Sequence, residues 1–447
     1  MSLRTVRPLT SSCVASSVPL HMVRDCSSPS RASNRPEVLY IRREFSYEKR
    51  NETVLNTAYV LGMTTTSAAG QTGTIRPFTI AIPQEAVDDL QRRLANTRYP
   101  VAAPDDSWDY GTPVAYLQKM VAEWRQFDWR AQEARMNAVP NFVTEIDAQT
   151  VHFVHIRSKE SGATPLLLAH TYPGSFSEFL DMIGPLTDPV AHGGQPEDAF
   201  DVVVPSMPGF GFSTPLVGEG WTMARVAQTY DTLMRSLGYE SYGTHGSDGG
   251  AMVSRELAVL DPPGFLGAHV LQLFSFPSGD PSEFENFGSK DYAALEFLGW
   301  FQSVGGYNQM NGTRPQTIAA ALSDSPVGQL AYNELFENFG NGTSLVTVEQ
   351  VLTQVSLYWL TNTSATAVRY HYSEGHSGAE PTVSHGRIGV AVFAHDFQTI
   401  RPLAERDNAN IVHWSELGTG GHYAALEVPE LVVGDLRTFF NDSGVRE

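Results

Sequence analysis

Apolar and polar positions change their rhythm several times along this chain. Residues 1–73 are rich in Ser, Arg and Thr, with no sustained apolar period, and are expected to form a disordered or non-native extension, with Met63 as an alternative start. Asp25, Glu37, Glu44 and Glu48 argue against an acid-poor organelle-targeting segment there. Order is expected from Phe78-Thr79-Ile80-Ala81-Ile82-Pro83, followed by Ala86, Val87, Leu90 and Leu94 at helical spacing, which predicts an amphipathic helix. Trp108, Tyr110, Trp124, Phe127 and Trp129 then crowd into a stretch too aromatic to face water, so residues 74–147 read as an N-terminal arm packed over another element. From about 148 the rhythm becomes short apolar runs: Val151 to Ile156, Leu166 to Ala169, and Val202 to Val204. Polar turns and amphipathic helices separate them, Met223 to Leu237 being the clearest helix. Such alternation predicts a mostly parallel sheet covered by helices on both faces. After about 270 helical stretches such as Pro315 to Leu322 and Val348 to Trp359 take over, and strand character returns at Ile388 to Phe393 and Asn410 to Trp414. The expected organisation is an α/β core in two parts, 148–270 and 385–447, interrupted by a helical cap over 271–384.

Composition narrows what such a core does. With 447 residues, 42% hydrophobic and 18% charged, the chain is a folded, enzyme-sized protein. A formal charge of -19 disfavours nucleic acid and anionic membrane as partners. A neutral small molecule fits better. Both cysteines, Cys13 and Cys26, precede the ordered region, so the rest of the chain holds neither a disulfide nor a thiolate metal site. No stretch reaches the length of an apolar membrane span, and a cytoplasmic protein is expected.

Chemistry concentrates at Ser241-Tyr242-Gly243-Thr244-His245-Gly246-Ser247-Asp248-Gly249-Gly250-Ala251, between an expected short strand and a helix starting near Ala251. A nucleophile on a sharp strand-to-helix turn needs small residues two before and two after it. Centred on Ser247, the flanks are His245 and Gly249; centred on Asp248, they are Gly246 and Gly250. The second register meets the steric demand at both positions and is preferred. Neither a dinucleotide-binding glycine motif nor a phosphate-loop lysine is present, which leaves a plain glycine-rich turn as the bland reading.

Asp396 follows the run ending Val392-Phe393-Ala394, and His422 lies in Thr419-Gly420-Gly421-His422-Tyr423-Ala424 after the next run. Loops at the carboxyl ends of parallel strands converge on one crevice, and the order nucleophile, acid, histidine suits an α/β hydrolase. Among 13 histidines His395 and His413 compete; His413 sits within an apolar run, where packing is the expected role.

With these residues the chain resembles the microsomal-type epoxide hydrolases of the α/β-hydrolase superfamily from about Arg76 to its end. Leu90 to Pro100 and Asp128-Trp129-Arg130 are similar to that family's N-terminal arm. His170-Thr171-Tyr172-Pro173-Gly174-Ser175 resembles its His-Gly-X-Pro oxyanion turn, and Pro205 to Ser213 the loop that follows. The resemblance implies an α/β-hydrolase fold with a helical cap, Asp248 as nucleophile, Asp396 as acid partner and His422 as base. It implies Tyr307 as one cap tyrosine that hydrogen-bonds the epoxide oxygen. For the second, the ungapped position holds His371, flanked by Tyr370 and Tyr372. Thr171 stands where the family commonly has Gly, and Gly249 where it has Trp.

An epoxide carbon is saturated, so a carboxylate attacking it forms an ester that water cleaves at the enzyme's own carbonyl; a serine would leave an inert ether. The expected reaction converts an apolar epoxide and water to a vicinal diol, with Tyr172 and Gly249 N–H groups as the oxyanion hole and no metal or organic cofactor. A haloalkane dehalogenase shares the Asp chemistry but relies on a halide-binding donor beside the nucleophile, where Gly249 stands. A serine esterase through Ser247 and a non-catalytic carrier of apolar ligands are the other readings.

Overall fold

The structure, a computed structural model, describes residues 72–441. The extension expected over 1–73 therefore lies almost wholly outside the described residues. Its last two positions are engaged: Thr72 bridges Ile146 and the Gly73 N–H donates to the Glu145 carbonyl at 2.7 Å.

Nine strands form one sheet: β1 (Arg76–Phe78), β2 (Asn141–Ile146), β3 (Gln149–Ile156), β4 (Thr164–Ala169), β5 (Phe200–Pro205), β6 (Tyr242–Gly246), β7 (Phe265–Val270), β8 (Ile388–His395) and β9 (Ile411–Gly421). Their order is β1-β2-β3-β5-β4-β6-β7-β8-β9. The three pairings from β1 to β5 are antiparallel and the five from β5 to β9 are parallel, so the sheet is mostly parallel. β2 and β3 form a hairpin whose two loop residues, Asp147 and Ala148, both have positive φ, as a tight I′ turn requires. The expected border between arm and core at 147/148 falls within this turn, and β1 and β2, on the arm side of it, pair into the sheet. β2 (Asn-Phe-Val-Thr-Glu-Ile) sits towards the sheet's antiparallel end and mixes polar with apolar residues, so it lacks the continuous apolar run of a central strand.

Alternate residues of the central strands serve opposite faces. Leu167 and Val203 pack with α5 (Met223–Ser236) and α6 (Gly249–Leu260), whereas Leu166, Leu168, Val202 and Val204 pack with α4 (Leu180–Thr187) and the C-terminal helix Pro429–Asn441. All six strand residues are fully buried, and burying each such side chain stabilises by roughly 1.5–3 kcal/mol. The ends of these strands are thereby a rigid platform.

Between β7 and β8 lie the helices α7 (Ser289–Val304), α8 (Gly306–Thr313), α9 (Pro315–Asp324), α10 (Pro326–Tyr332), α11 (Val348–Thr361), α12 (Ser364–Ala367) and α13 (Arg369–Gly375). The arm helices α1 (Gln84–Ala95), α2 (Val114–Trp124) and α3 (Trp129–Asn137) strap onto α10 and α11. Trp124 donates its indole N–H to Ser356 Oγ at 2.8 Å, Gln132 donates to Glu349 at 2.6 Å, and Tyr116 donates to Glu337 at 2.7 Å. Trp124 and Trp129 are buried by this packing, while Tyr110 is 70% exposed. Among the described residues no helix is long and apolar enough to cross a membrane.

Candidate active site

Asp248 stands between β6 and α6 with φ 50° and ψ -119°, a strained conformation for any residue but glycine. A Cβ added at Gly246 would lie 2.1 Å from the Gly250 carbonyl oxygen, and one at Gly250 would lie 1.9 Å from the Ala169 oxygen. The turn tolerates glycine alone at both flanks, so its centre is Asp248. Ser247 is buried away from the cavity, its hydroxyl donating to the His422 carbonyl at 3.1 Å and to Gln272 Oε1 at 3.2 Å.

Tyr172 N–H donates to Asp248 Oδ2 at 3.0 Å. Burial pushes the Asp248 carboxyl up; the His422 charge and the N–H groups of Gly249 and Tyr172 oppose that. The turn carrying Tyr172 is set by His170, whose Nδ1–H donates to the Thr171 carbonyl at 2.9 Å while Nε2 accepts from Met207 N–H at 3.0 Å. Those partners define the neutral tautomer, and burial lowers His170 to about 4.

His422, at the end of β9, has Nδ1 2.8 Å from Asp396 Oδ1 and Nε2 3.9 Å from Asp248 Oδ1. The first contact is a hydrogen bond; the second is too long for one. Burial works against the charged imidazole, but the Asp396 carboxylate, its hydrogen bond and the Asp248 charge lift His422 to about 9. Asp396 follows β8 and also accepts from Phe397 N–H at 2.7 Å. The carboxyl ends of β6, β8 and β9 thus bring Asp248, Asp396 and His422 together.

Gln272, two residues beyond β7, is a member of this group that sequence reasoning missed. Its Oε1 accepts the Asp248 N–H at 2.5 Å and its Nε2 donates to Asp396 Oδ2, tying the Asp248 turn to Asp396. An amide inside the apolar run Val270-Leu271-Gln272-Leu273, just past a strand, was the available signal.

A cavity of about 360 Å³ opens over Asp248 and His422, walled largely by apolar residues such as Phe274, Phe301, Phe339 and Phe397. Tyr307, from α8, and Tyr370, from α13, line it from the cap. The Tyr370 hydroxyl lies 3.9 Å from where a Cβ at Gly249 would stand, so the missing side chain leaves space bounded by Tyr370, Met207 and Met223. His371 also lines the cavity, its ring 5.0 Å from that of Tyr172, and burial lowers it to about 3, which keeps it neutral. Tyr372 is not brought to the site. Helical residues two apart point about 200° from each other, and Tyr372 is 42% exposed, stacked on His376. Of the three positions left open, Tyr370 and His371 line the cavity and Tyr372 does not.

Of the competing histidines, His395 is exposed. His413 and His269 both donate to Asp435, at 3.0 and 2.7 Å. These three offer ligand atoms within 4.8 Å of one another, but the contacts have hydrogen-bond lengths and Asp435 is the shared acceptor.

Comparison with known proteins gives the same picture. The family "Epoxide hydrolase N terminus" matches residues 75–179, and "alpha/beta hydrolase fold" matches residues 164–302. A candidate epoxide hydrolase of Stigmatella aurantiaca (strain DW4/3-1) is 41% identical over 376 residues, covering 82% of this chain and 84% of that protein. Epoxide hydrolase 1 of Sus scrofa is 30% identical over 414 residues, covering 83% and 90%. Among solved structures, the epoxide hydrolase of Aspergillus niger aligns with a TM-score of 0.72 at 29% identity, over 82% of this chain and 96% of that one. The juvenile hormone epoxide hydrolase of the silkworm Bombyx mori gives 0.75 at 25%, over 83% and 95%. With the arm, the aspartate-centred turn and these relatives together, the chain belongs to the microsomal-type epoxide hydrolases of the α/β-hydrolase superfamily and is an epoxide hydrolase.

Proposed function

We propose that this enzyme opens an apolar epoxide with the Asp248 carboxylate and hydrolyses the resulting ester with water activated by His422. The observation that carries the reading is the two-sided environment of Asp248. Its Oδ2 is held by the Tyr172 N–H, while Oδ1 faces His422 Nε2 at 3.9 Å beneath a cavity lined from above by Tyr307 and Tyr370.

In the first step the carboxylate displaces the epoxide oxygen from carbon. The phenol O–H groups of Tyr307 and Tyr370 meet the oxygen as its charge develops. Burial, with the nearby Asp248 charge, pushes both phenols well above their ordinary value, so they remain protonated donors. Alkylation then changes the base. Asp248 becomes a neutral ester, which removes one of the charges that raise His422 and so favours the neutral imidazole. Neutral His422 takes a proton from water, the water oxygen attacks the ester carbonyl, and the N–H groups of Tyr172 and Gly249 stabilise the tetrahedral oxyanion. One such donor contributes roughly 3–4 kcal/mol in comparable sites. Asp396 orients the imidazole and stabilises it once charged. Collapse releases the vicinal diol and restores the carboxylate. The apolar walls favour a lipophilic epoxide, whose conversion to a diol is a detoxifying change. A cytoplasmic setting belongs to the same proposal.

A single turnover with styrene oxide in oxygen-18 water, followed by mass spectrometry of the peptide containing Asp248, tests the mechanism. Label in that carboxylate together with diol is the expected result. Diol without label would overturn the ester step in favour of direct attack by water.

A further inference from the structure

Glu178 is a carboxyl that the mechanism above does not use. It lies on the 3-10 turn Phe176–Phe179 and is 2% exposed. Its two oxygens meet one residue: Thr171 N–H donates to Oε1 at 3.0 Å, and the Thr171 hydroxyl lies 2.7 Å from Oε2. The next residue is Tyr172, whose N–H reaches the nucleophile at 3.0 Å. The turn is built around this contact. A Cβ at Gly174 would stand 2.0 Å from Thr171 Oγ1 and 2.2 Å from Glu178 Oε2, so glycine is the residue that leaves the carboxyl its place. From the cap side Tyr358 donates to the Gly174 carbonyl at 2.9 Å, and Gln354 engages Ser175 at 2.6 Å and Ser177 at 3.0 Å.

We propose that Glu178 is a positioning residue of the ester-hydrolysis step, its carboxyl holding Thr171 so that the Tyr172 N–H is aimed at the oxyanion. The inference rests on the ester mechanism proposed above. Thr171, the departure from the family's glycine, is what gives the carboxyl a second hydrogen bond. The titratable groups that face it are Asp248, His422, Tyr358 and Tyr423, and a neutral carboxyl adds no second negative charge beside Asp248. Burial pushes Glu178 up to about 8, opposed by the Thr171 hydrogen bonds and the His422 charge and assisted by Asp248. Below that pH the carboxyl is neutral. Above it, a second negative charge stands behind the hole in which the oxyanion must form.

The two chemical steps respond differently. The hole stabilises charge that grows during hydrolysis, whereas in alkylation the carboxylate's charge is being spent. Glu178→Ala should therefore lower kcat tenfold to roughly a hundredfold and lower KM with it, leaving kcat/KM, which reports alkylation, within about threefold. Quenched-flow mass spectrometry should show alkyl-enzyme accumulating in the steady state. Glu178→Gln, which keeps the shape and cannot ionise, should recover most of the lost hydrolysis rate and abolish the alkaline fall in kcat expected of the wild-type enzyme near pH 8. Equal losses in kcat and kcat/KM without adduct, or an alkaline limb that persists in Glu178→Gln, would overturn the proposal. Should Glu178→Ala fail to fold, the pH profile of Glu178→Gln decides alone. A wild-type enzyme that forms no adduct at any pH would instead overturn the ester mechanism, a result seen before any variant is made.

Discussion

Three strands of this sheet carry two histidine–carboxylate networks, one within the sheet and one beyond its strand ends. Along β6, β7 and β9 the inner network takes His245, His269 and His413; the outer takes Asp248, Gln272 and His422. By contact length they are alike. His422 meets Asp396 at 2.8 Å; His269 meets Asp435 at 2.7 Å, and His245 Nδ1 lies 2.9 Å from His269 Nδ1. Their surroundings differ. The inner imidazoles pack against the rings of Phe179 and Phe439, whereas His422 and Asp248, the latter on a strained turn, open onto the cavity. Charge follows the surroundings. Burial opposes the Asp435 charge, yet hydrogen bonds from His269 and His413 hold that carboxyl well below its usual range, while the Asp248 carboxyl is raised. A short histidine–carboxylate contact is therefore no signature of catalysis. What distinguishes the outer network is access to the cavity, an aspartate on a strained turn and an N–H donor aimed at its carboxylate.

Substitutions of matched carboxylates can break the comparison. The largest effect is expected from Asp396→Asn, which keeps the shape but turns His422 into the wrong tautomer and should cost roughly 10⁴-fold in kcat. Thermal unfolding should move by only a few degrees; a loss of activity that merely tracks unfolding would erase the distinction. Asp435→Asn should do the reverse. Weakening a buried acceptor shared by two imidazoles should cost about 3 kcal/mol in a urea titration, with kcat of the folded enzyme within about twofold. A large fall in kcat there would mean that the inner network reaches Asp248 through β6.

Acid and alkali sharpen the same contrast. Asp435 titrates below its ordinary value of 3.8 when folded, so its contribution is present above that pH and is lost as the pH falls. Asp435→Asn should make stability less steep on the acid side. His422 is raised to about 9 from 6.5, so its contribution is complete below 6.5 and is lost as the pH rises through 9. Asp396→Asn should therefore flatten the alkaline arm and leave the acid arm in place, as read from unfolding midpoints between pH 3 and 10. The smallest effect belongs to His413→Gln. His413 is 19% exposed and Asp435 keeps its bond from His269, so a change within about 1 kcal/mol and unaltered turnover are expected; a cost equal to that of Asp435→Asn would show that the inner network acts as one unit.

The two networks also show how far residues alone could be read. β4, β5 and β8 were legible because strands covered on both faces need unbroken apolar runs. β7, Phe-Leu-Gly-Ala-His-Val, is interrupted by Gly267 and by a histidine that is polar yet fully buried, and β2, at the antiparallel side, mixes polar and apolar residues without a regular period. Asp248 was legible because only glycine fits at 246 and 250. Asp396 and His422 followed from strand ends and chain order. The placement of Tyr370 was not, since Tyr370 and Tyr372 stand two apart on α13 and face the cavity and solvent respectively.

By itself the sequence determined the α/β alternation, the aspartate-centred turn and the chain order of its partners, because sterics and periodicity act between near neighbours. Only the tertiary structure decided that Gln272 joins Asp248 to Asp396, that Glu178 lies under the Tyr172 turn, and that His413 belongs to Asp435 rather than to the site. Those contacts join residues on separate elements, and their hydrogen bonds depend on how the elements pack, which no local pattern encodes.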